Sequence, residues 1–178
     1  MAKSASILLV DDSPDDVLLI RLALKRTGIT NSIASVGDGE RAIQYLRGEH
    51  PYNDRHAFPM PGLVLLDLAM PRMGGFDFLV WIGKQPEFRS IPVVVLTGSA
   101  LLTDAKRAYQ LGARSFVTKP GDLTELASSL KQTTDFWLNR RTADEPRATE
   151  RQQVPNGTPD SSSNLIHLPL STAVLSAA

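Results

Sequence analysis

Short apolar runs alternate with amphipathic segments along most of the chain. Each apolar run is bounded by polar or turn residues, as expected for a strand of a parallel sheet that is covered on both faces. The predicted strands cover residues 6–11, 31–36, 63–67, 92–97 and 114–118. The segments between them keep apolar residues on one helical face, and they predict helices over residues 14–27, 39–47, 76–84, 103–111 and 122–139. This alternation predicts an α/β domain in which helices cover a parallel sheet.

Two stretches depart from the alternation. Residues 48–62 contain three prolines and show no periodicity, which indicates a long surface loop. The simplest explanation is an insertion that the fold tolerates, because lengthening a loop costs little free energy. Residues 140–178 contain four prolines and no aromatic residue. We therefore expect a folded domain over residues 6–139, followed by a mostly disordered tail over residues 140–178.

The composition narrows the class of protein. Apolar residues make up 42% of the chain, and 19 basic residues balance 19 acidic ones. A net charge of zero argues against nucleic acid as a partner. The absence of cysteine excludes disulfides, zinc–thiolate sites and thiol catalysis. The first apolar segment is too short, and too close to Asp11 and Asp12, for a signal peptide or a membrane span. We therefore expect a cytoplasmic protein that does not act at a membrane.

Polar side chains with matching chemistry lie at or directly after the carboxyl ends of four of the predicted strands. These residues are Asp11 and Asp12 at the first strand, Asp67 at the third, Thr97 at the fourth and Lys119 at the fifth. Because the carboxyl ends of parallel strands share one edge, three carboxylates, a hydroxyl and an ammonium should converge there. Each residue alone could be a helix cap or a turn residue, and for Asp11-Asp12 alone capping is slightly favoured. Four matching strand ends are harder to explain in that way.

The predicted cluster suits a divalent cation and a phosphoryl group. Two carboxylates about 5 Å apart repel by roughly 3 kcal/mol at an effective dielectric constant near 20, so several of them call for a cation. Oxygen ligands without sulfur favour Mg²⁺ or Mn²⁺. Such a metal offsets the charge on a phosphoryl donor, so that Asp67 can attack phosphorus and form an acyl phosphate. Lys119 and Thr97 can then bind the phosphoryl oxygens.

The segments that carry these residues resemble the receiver domain of two-component response regulators. The matching stretches are 8–13, 65–75, 96–99 and 116–120. The resemblance implies a flavodoxin-like fold, that is, a doubly wound five-stranded parallel sheet in the order 2-1-3-4-5 with helices on both faces. It also implies that residues 6–139 form the receiver domain, and that Asp67 accepts a phosphoryl group from the phosphohistidine of a sensor histidine kinase.

Roles for the remaining site residues also follow from this resemblance. The family pattern makes Asp12 the principal acidic ligand of Mg²⁺, with Asp11 mainly acting through water and with Asp67 and the backbone carbonyl of Ala69 as further ligands. The resemblance makes Thr97 and Phe116 the switch pair and Lys119 the catalytic cation. It also implies a cis peptide bond between Lys119 and Pro120.

A second hypothesis is an enzyme that uses an aspartyl phosphate. Haloacid-dehalogenase-like phosphatases and phosphotransferases share the aspartate, the Thr or Ser, the lysine and Mg²⁺. They need a second aspartate two residues after the nucleophile, where this chain has Ala69. We therefore expect a signalling switch rather than an enzyme that turns over other substrates. Its output would be a protein contact, because residues after 138 show no pattern of an output domain.

The long loop and the end of the last helix look like the single-domain regulators that pair with bacterial phytochromes. This resemblance implies a phytochrome photoreceptor as the possible sensor kinase. The adjacent Phe136, Trp137 and Leu138 cannot all face one core from a helix, so one or two should meet a partner. With Tyr109 they predict a partner face on the fourth helix, fifth strand and fifth helix, through which we expect a homodimer.

Overall fold

The predicted strands form one parallel sheet in the predicted order. The computed structural model describes residues 5–143, with side chains described through residue 138. The elements are β1 (Ser6–Val10), α1 (Pro14–Arg26), β2 (Ile33–Val36), α2 (Gly39–Arg47), β3 (Pro61–Leu66), α3 (Gly75–Gly83), β4 (Val93–Thr97), α4 (Leu102–Gln110), β5 (Ser115–Thr118) and α5 (Leu123–Ala143). The strand order is β2-β1-β3-β4-β5, and every neighbouring pair is parallel. The predicted flavodoxin-like fold is therefore confirmed.

Alternate residues of each strand enter two separate apolar clusters, one on each face of the sheet. On β1, Leu8 and Val10 pack with residues of α2, α3 and α4. Ile7 and Leu9 face the other way and pack with residues of α1 and α5. The central strands are buried along their whole length, because helices cover both faces. This burial fixes the register of the strands and therefore the positions of the residues at their carboxyl ends.

Helix α1 begins where the sequence predicts it. The Ser13 hydroxyl accepts a hydrogen bond from the Asp16 N–H at 3.3 Å, and Pro14 occupies the first helical position. Both features satisfy or remove backbone donors at the start of a helix. The cap places Asp15 and Asp16 in the first turn, next to the carboxyl end of β1.

The last helix is longer than predicted. It continues to Ala143, whereas the sequence predicts that it ends at residue 139. The physical reason is that neither glycine nor proline occurs between its start and Pro146, so nothing in the chain stops the helix earlier. The predicted disordered tail therefore begins too early at residue 140, and its part from residue 144 onward lies outside the described residues. Among the described residues, no helix is both long and apolar enough to cross a membrane.

The loop between α2 and β3 is anchored by packing of its own. Tyr52 and Phe58 lie 5.2 Å apart between ring centroids and pack on Tyr45 of α2. The Arg55 guanidinium donates to the carbonyls of Tyr45 and Leu46 at 2.8 and 2.7 Å, which satisfies acceptors at the end of α2. The loop is confirmed, but it is a packed segment rather than a passive insertion.

The predicted cis peptide bond between Lys119 and Pro120 is wrong. Within the described part of the chain, the cis bond is that between His50 and Pro51. The trans form is the default for bonds that precede proline by about 0.5–1 kcal/mol, and the Lys119 N–H donates to the Thr97 carbonyl at 2.7 Å in this arrangement.

Candidate functional site

The polar residues at the strand ends converge on one open cleft at the carboxyl edge of the sheet. The cleft has a volume of about 460 Å³. Its lining contains every predicted residue of the acid–hydroxyl–lysine set, namely Asp11, Asp12, Asp67, Thr97 and Lys119. The other lining residues are Ser13, Asp16, Leu68, Ala69, Phe76, Gly98, Ser99 and Asp104. The convergence follows from the topology, because β1, β3 and β4 are adjacent and end at the same edge.

The Lys119 ammonium lies among three carboxylates. Its Nζ is 2.7 Å from an oxygen of Asp11, 2.6 Å from an oxygen of Asp16 and 3.1 Å from Oδ1 of Asp67. Asp11 and Asp67 are almost fully buried, with 4% and 6% of their surface exposed. An ion pair between buried groups is screened less by solvent than a surface pair. The positive charge of Lys119 therefore offsets the repulsion between the carboxylates that surround it in the cleft.

Burial and ion pairing act against each other in this cluster. Burial raises the pKa of Asp11 above its ordinary value, and the hydrogen bonds from Lys119 and the Ser13 N–H offset that rise only in part. Burial would lower the pKa of Lys119, but hydrogen bonds to Asp11 and Asp16 raise it above its usual range. Lys119 is therefore charged at neutral pH. A further cation at this edge would favour the ionised form of Asp11.

Asp67 stands at the end of the central strand β3 with one oxygen directed to backbone and the other to Lys119. Its Oδ2 accepts a hydrogen bond from the Ala69 N–H at 2.8 Å, and its own N–H donates to the Val10 carbonyl at 2.9 Å. These bonds fix both the backbone and the carboxylate. The other oxygen, Oδ1, lies beside Lys119, and Asp67 lines the cleft.

Thr97 and the residues that follow it form the adjacent wall. Thr97 is buried, with 1% of its surface exposed, and its Oγ1 accepts a hydrogen bond from the Ser99 N–H at 3.3 Å. The Ser99 hydroxyl in turn donates to Asp104 of α4 at 2.6 Å. Phe116 pairs with Val95 across β4 and β5 and is partly buried in the cluster that includes α4. The wall therefore connects the cleft to α4.

The donor chemistry of the cleft fits a divalent cation such as Mg²⁺ or Mn²⁺. Asp11, Asp12 and Asp67 all line the cleft, they offer oxygen ligands, and Asp12 is exposed at its mouth. Among the residues whose side chains the structure describes, no three acidic or histidine side chains lie close enough together to hold a metal ion. The Lys119 ammonium lies beside both Asp11 and Asp67 and balances part of their charge.

An ion pair between the buried Asp38 carboxylate and the mostly exposed Arg72 guanidinium ties the loop after Asp67 to the start of α2. Asp38 is 1% exposed; its Oδ1 accepts the Arg41 N–H at 2.8 Å, and its Oδ2 pairs with the Arg72 guanidinium. Arg72 adopts φ = 63°, a left-handed conformation that is uncommon for a residue with a side chain. The Gly39 N–H also donates to the Met73 carbonyl at 3.0 Å. The loop that follows the phosphoacceptor candidate is therefore clamped from outside the cleft.

We expect Asp38→Asn to lower the free energy of unfolding by about 1 kcal/mol at pH 7, because the charge facing Arg72 is lost while the helix cap is kept. Burial alone would raise the pKa of Asp38, but Arg72 and the Arg41 N–H lower it below its ordinary value. A carboxyl with a lowered pKa in the folded state adds stability above its unfolded pKa and loses it as the pH falls. The difference between native chain and variant should therefore shrink between about pH 5 and pH 3.

Urea denaturation at several pH values measures this difference. The exposed Glu40 lies in the same first turn of α2, so Glu40→Gln is the matched control and should change stability by less than about 0.5 kcal/mol. A difference for Asp38→Asn that stayed constant down to pH 3 would show that the charge of Asp38 is not its source.

The four residues of the predicted partner face divide into two pairs. Tyr109 and Phe136 are about half exposed, at 52% and 50%. Trp137 and Leu138 are partly buried and pack on the apolar cluster between α1, α5 and the sheet. This division agrees with the geometric argument that three adjacent large side chains cannot face one core. The partner face itself stays a prediction.

Two contacts of the site were missed by sequence reasoning. Asp16 was given no role in the site from the sequence, yet it ion-pairs with Lys119. Its place in the first turn of a capped helix at the sheet edge was the signal that could have identified it. The Arg72–Asp38 pair joins residues 34 positions apart and had no local signal.

The fold and the cleft together define a class of protein. A five-stranded parallel sheet whose carboxyl edge carries an acid pair, a central aspartate, a threonine and a lysine is the arrangement of a response regulator receiver. The sequence model of the response regulator receiver domain matches residues 7–131, and the chain belongs to this family. It is thus a signalling protein of the two-component type, a class that works with histidine kinases.

The chain is also similar to individual proteins of this family over most of their length. The chain is 36% identical over 132 residues to the probable methanogenesis regulatory protein FilR2 of Methanothrix harundinacea, covering 74% of this chain and 83% of that protein. It is 35% identical to the response regulator Rcp1 of Synechocystis sp., covering 74% and 88%.

The structure is also similar to solved structures of response regulators. The phosphorylated cyanobacterial phytochrome response regulator RcpA is similar with a TM-score of 0.69 and 34% identity, over 76% of this chain and 95% of that one. The Mn²⁺-bound form of Rcp1 is similar with a TM-score of 0.66 and 34% identity, over 75% and 94%. The predicted similarity to phytochrome-associated regulators is confirmed.

Proposed function

We propose that this protein is a phosphoacceptor switch, which takes a phosphoryl group from a sensor histidine kinase onto Asp67 in a reaction that requires Mg²⁺ or Mn²⁺. The observation that carries the proposal is the placement of the Asp67 carboxylate 3.1 Å from a charged lysine in an open, acid-lined cleft. A carboxylate held beside a fixed cation is arranged for attack on an anionic phosphorus centre.

Different residues of the chain have different roles in the transfer of the phosphoryl group. An oxygen of Asp67 forms a bond to phosphorus while the bond from phosphorus to the donor imidazole nitrogen breaks, and the electron pair of that bond goes to the imidazole. Lys119 and the Thr97 hydroxyl bind phosphoryl oxygens and hold the group in line. Asp12, Asp11, Asp67 and the Ala69 carbonyl would hold the metal. When bound, the metal would neutralise charge between the carboxylates and the phosphoryl group.

The output is a change of protein contacts on the face built from α4, β5 and α5. Thr97 senses the phosphoryl group and Phe116 responds on the neighbouring strand, where it packs against the cluster that includes α4. The exposed Tyr109 and Phe136 lie on α4 and α5, with Trp137 and Leu138 behind Phe136, and this face would form a homodimer. Phosphorylation shifts the balance between two existing conformations rather than creating a new one.

The similarity to RcpA and Rcp1 supports a phytochrome photoreceptor as the sensor kinase. RcpA is a phytochrome response regulator by its description, and Rcp1 resembles this chain over most of its length. The two-component family alone supports a histidine kinase of any input. Phosphotransfer from a panel of purified kinases distinguishes the two, since a photoreceptor partner would label this protein faster than the other kinases.

Labelling with a small phosphodonor tests the proposal. The full chain is incubated with acetyl phosphate and Mg²⁺ and then measured by intact mass. We expect a gain of one phosphoryl group that is abolished by chelation of the metal. Continuous release of phosphate, far above one equivalent per chain, would instead indicate a phosphatase. The absence of both label and turnover in the folded protein would overturn the proposal.

A further inference from the structure

Asp16 lines the cleft but has no part in the proposed reaction. Lys119 contacts Asp11, Asp16 and Asp67, and its distance to Asp16 is the shortest of the three at 2.6 Å, against 3.1 Å for Asp67. Asp16 lies on α1 rather than at a strand end, and 37% of its side chain is exposed. The ammonium therefore lies closer to Asp11 and Asp16 than to Asp67.

The local geometry separates Asp16 from its neighbour Asp15. Both acids lie in the first turn of α1, and both benefit from the positive end of the helix dipole. The cap from Ser13 binds the Asp16 N–H and orients this residue toward the cleft, which it lines. Asp15 is exposed and does not line the cleft. The helix dipole therefore accounts for Asp15 but does not account for the contact of Asp16 with Lys119.

The hydrogen-bonding capacity of Lys119 sets up a competition. An ammonium has three N–H donors, and three carboxylates surround this one. Two of these donors are hydrogen-bonded to Asp11 and Asp16, so a phosphoryl group on Asp67 can receive more than one N–H from Lys119 only when one of those two bonds loosens. Phosphoryl transfer changes Asp67 itself, but it leaves the charge of Asp16 intact. Asp16 also adds negative charge to the wall of a cleft that must accept an anion.

From this competition we infer that Asp16 is a positioning residue that restrains Lys119 and lowers the affinity of the cleft for a phosphoryl group. The inference rests on the proposed function and deepens it, because it assigns to α1 a brake on the phosphorylated state. Asp16 has this effect because it competes with the phosphoryl oxygens for hydrogen bonds from the Lys119 ammonium.

Binding of an acyl-phosphate mimic tests this role without the kinetics of transfer. Beryllium fluoride is titrated into the full-length chain at saturating Mg²⁺ and followed by calorimetry. Saturating metal is needed because Asp16 also attracts cations. For Asp16→Asn we expect roughly five- to tenfold tighter binding than for the native chain, since one competing charge is removed. Asp15→Asn is the matched control and should stay within about twofold.

Two further measurements separate positioning from folding. Asp16→Glu keeps the charge and the reach to Lys119, so it should return the affinity to near the native value. Urea denaturation of each variant shows whether stability changes. A merely structural role would change stability and leave the affinity ratio between the two asparagine variants near one.

The outcomes distinguish this inference from the proposed function. If the native chain neither binds beryllium fluoride nor accepts phosphate, the proposed function fails. If the native chain binds the mimic and Asp16→Asn binds it no more tightly than Asp15→Asn, the function stands and the brake is wrong. Weaker binding by Asp16→Asn would equally overturn the inference, because it would make Asp16 a support of the phosphorylated state.

Discussion

Asp67→Asn should abolish phosphoryl labelling of the chain. An amide in place of the carboxylate cannot form an acyl phosphate, because its oxygen is a poor nucleophile and carries no charge. The substitution keeps the shape of the side chain and an oxygen that can accept the Ala69 N–H, which Asp67 binds at 2.8 Å. The fold should therefore survive while the reaction is lost. Intact mass after incubation with acetyl phosphate and Mg²⁺ measures the effect.

The matched control is an aspartate outside the cleft. Asp77 lies in the first turn of α3 and is exposed, so Asp77→Asn should be labelled as readily as the native chain. Peptide mapping of the labelled control should place the phosphoryl group on Asp67. Labelling of Asp67→Asn to the native level would show that another residue is the acceptor, and the assignment of Asp67 would be wrong.

The sheet and the strand-end residues could be predicted because they depend on local patterns and one topological rule. The β3 strand is a continuous apolar run that ends at Asp67, and the β4 run includes Thr97 at its end. Burial on both faces requires such runs, and parallel strands place their carboxyl ends together. The convergence of Asp11, Asp67, Thr97 and Lys119 therefore followed from the sequence without knowledge of any contact.

The contacts that sequence reasoning missed depend on tertiary placement. Asp16 and Lys119 are 103 positions apart, and their pairing depends on how α1 lies against the end of β5. Arg72, which has a φ of 63° in the left-handed region, meets Asp38 from a loop 34 positions away. The loop after α2 showed no periodicity, since its aromatic residues pack on one another and on Tyr45. Such packing leaves no repeating signal in the chain.

The end of α5 shows the same limit for a surface. The sequence indicated that Phe136, Trp137 and Leu138 cannot share one core, but not which of them leaves it. In the structure, Trp137 and Leu138 pack on the α1 side, and Phe136 is half exposed. The choice depends on the rotation of α5 against α1 and β3. The proposed partner face consequently depends most on Tyr109 and Phe136, because about half of the surface of each is exposed.

Gly75→Ala should lower the free energy of unfolding by about 3 kcal/mol, at the upper end of the usual cost of overpacking. A Cβ on Gly75 would lie 2.3 Å from the Asp67 carbonyl oxygen and 2.8 Å from the Leu68 Cα. Both atoms belong to backbone, so neither can turn aside as a side chain could. Alanine is otherwise the better helix former by about 1 kcal/mol, and the sign of the effect is therefore set by the clash.

The same clash should disturb the proposed phosphoacceptor, because it presses on the peptide that carries Asp67. We expect Gly75→Ala to be labelled by acetyl phosphate more slowly even where it is fully folded, since transfer depends on position to within fractions of an ångström. Gly121→Ala is the control: nothing lies within 4 Å of its Cβ, and its φ is not positive. That variant should be as stable as the native chain or slightly more stable. Equal stability of Gly75→Ala and Gly121→Ala in urea would mean that the loop behind Asp67 can yield, and that its close packing does not fix the carboxylate.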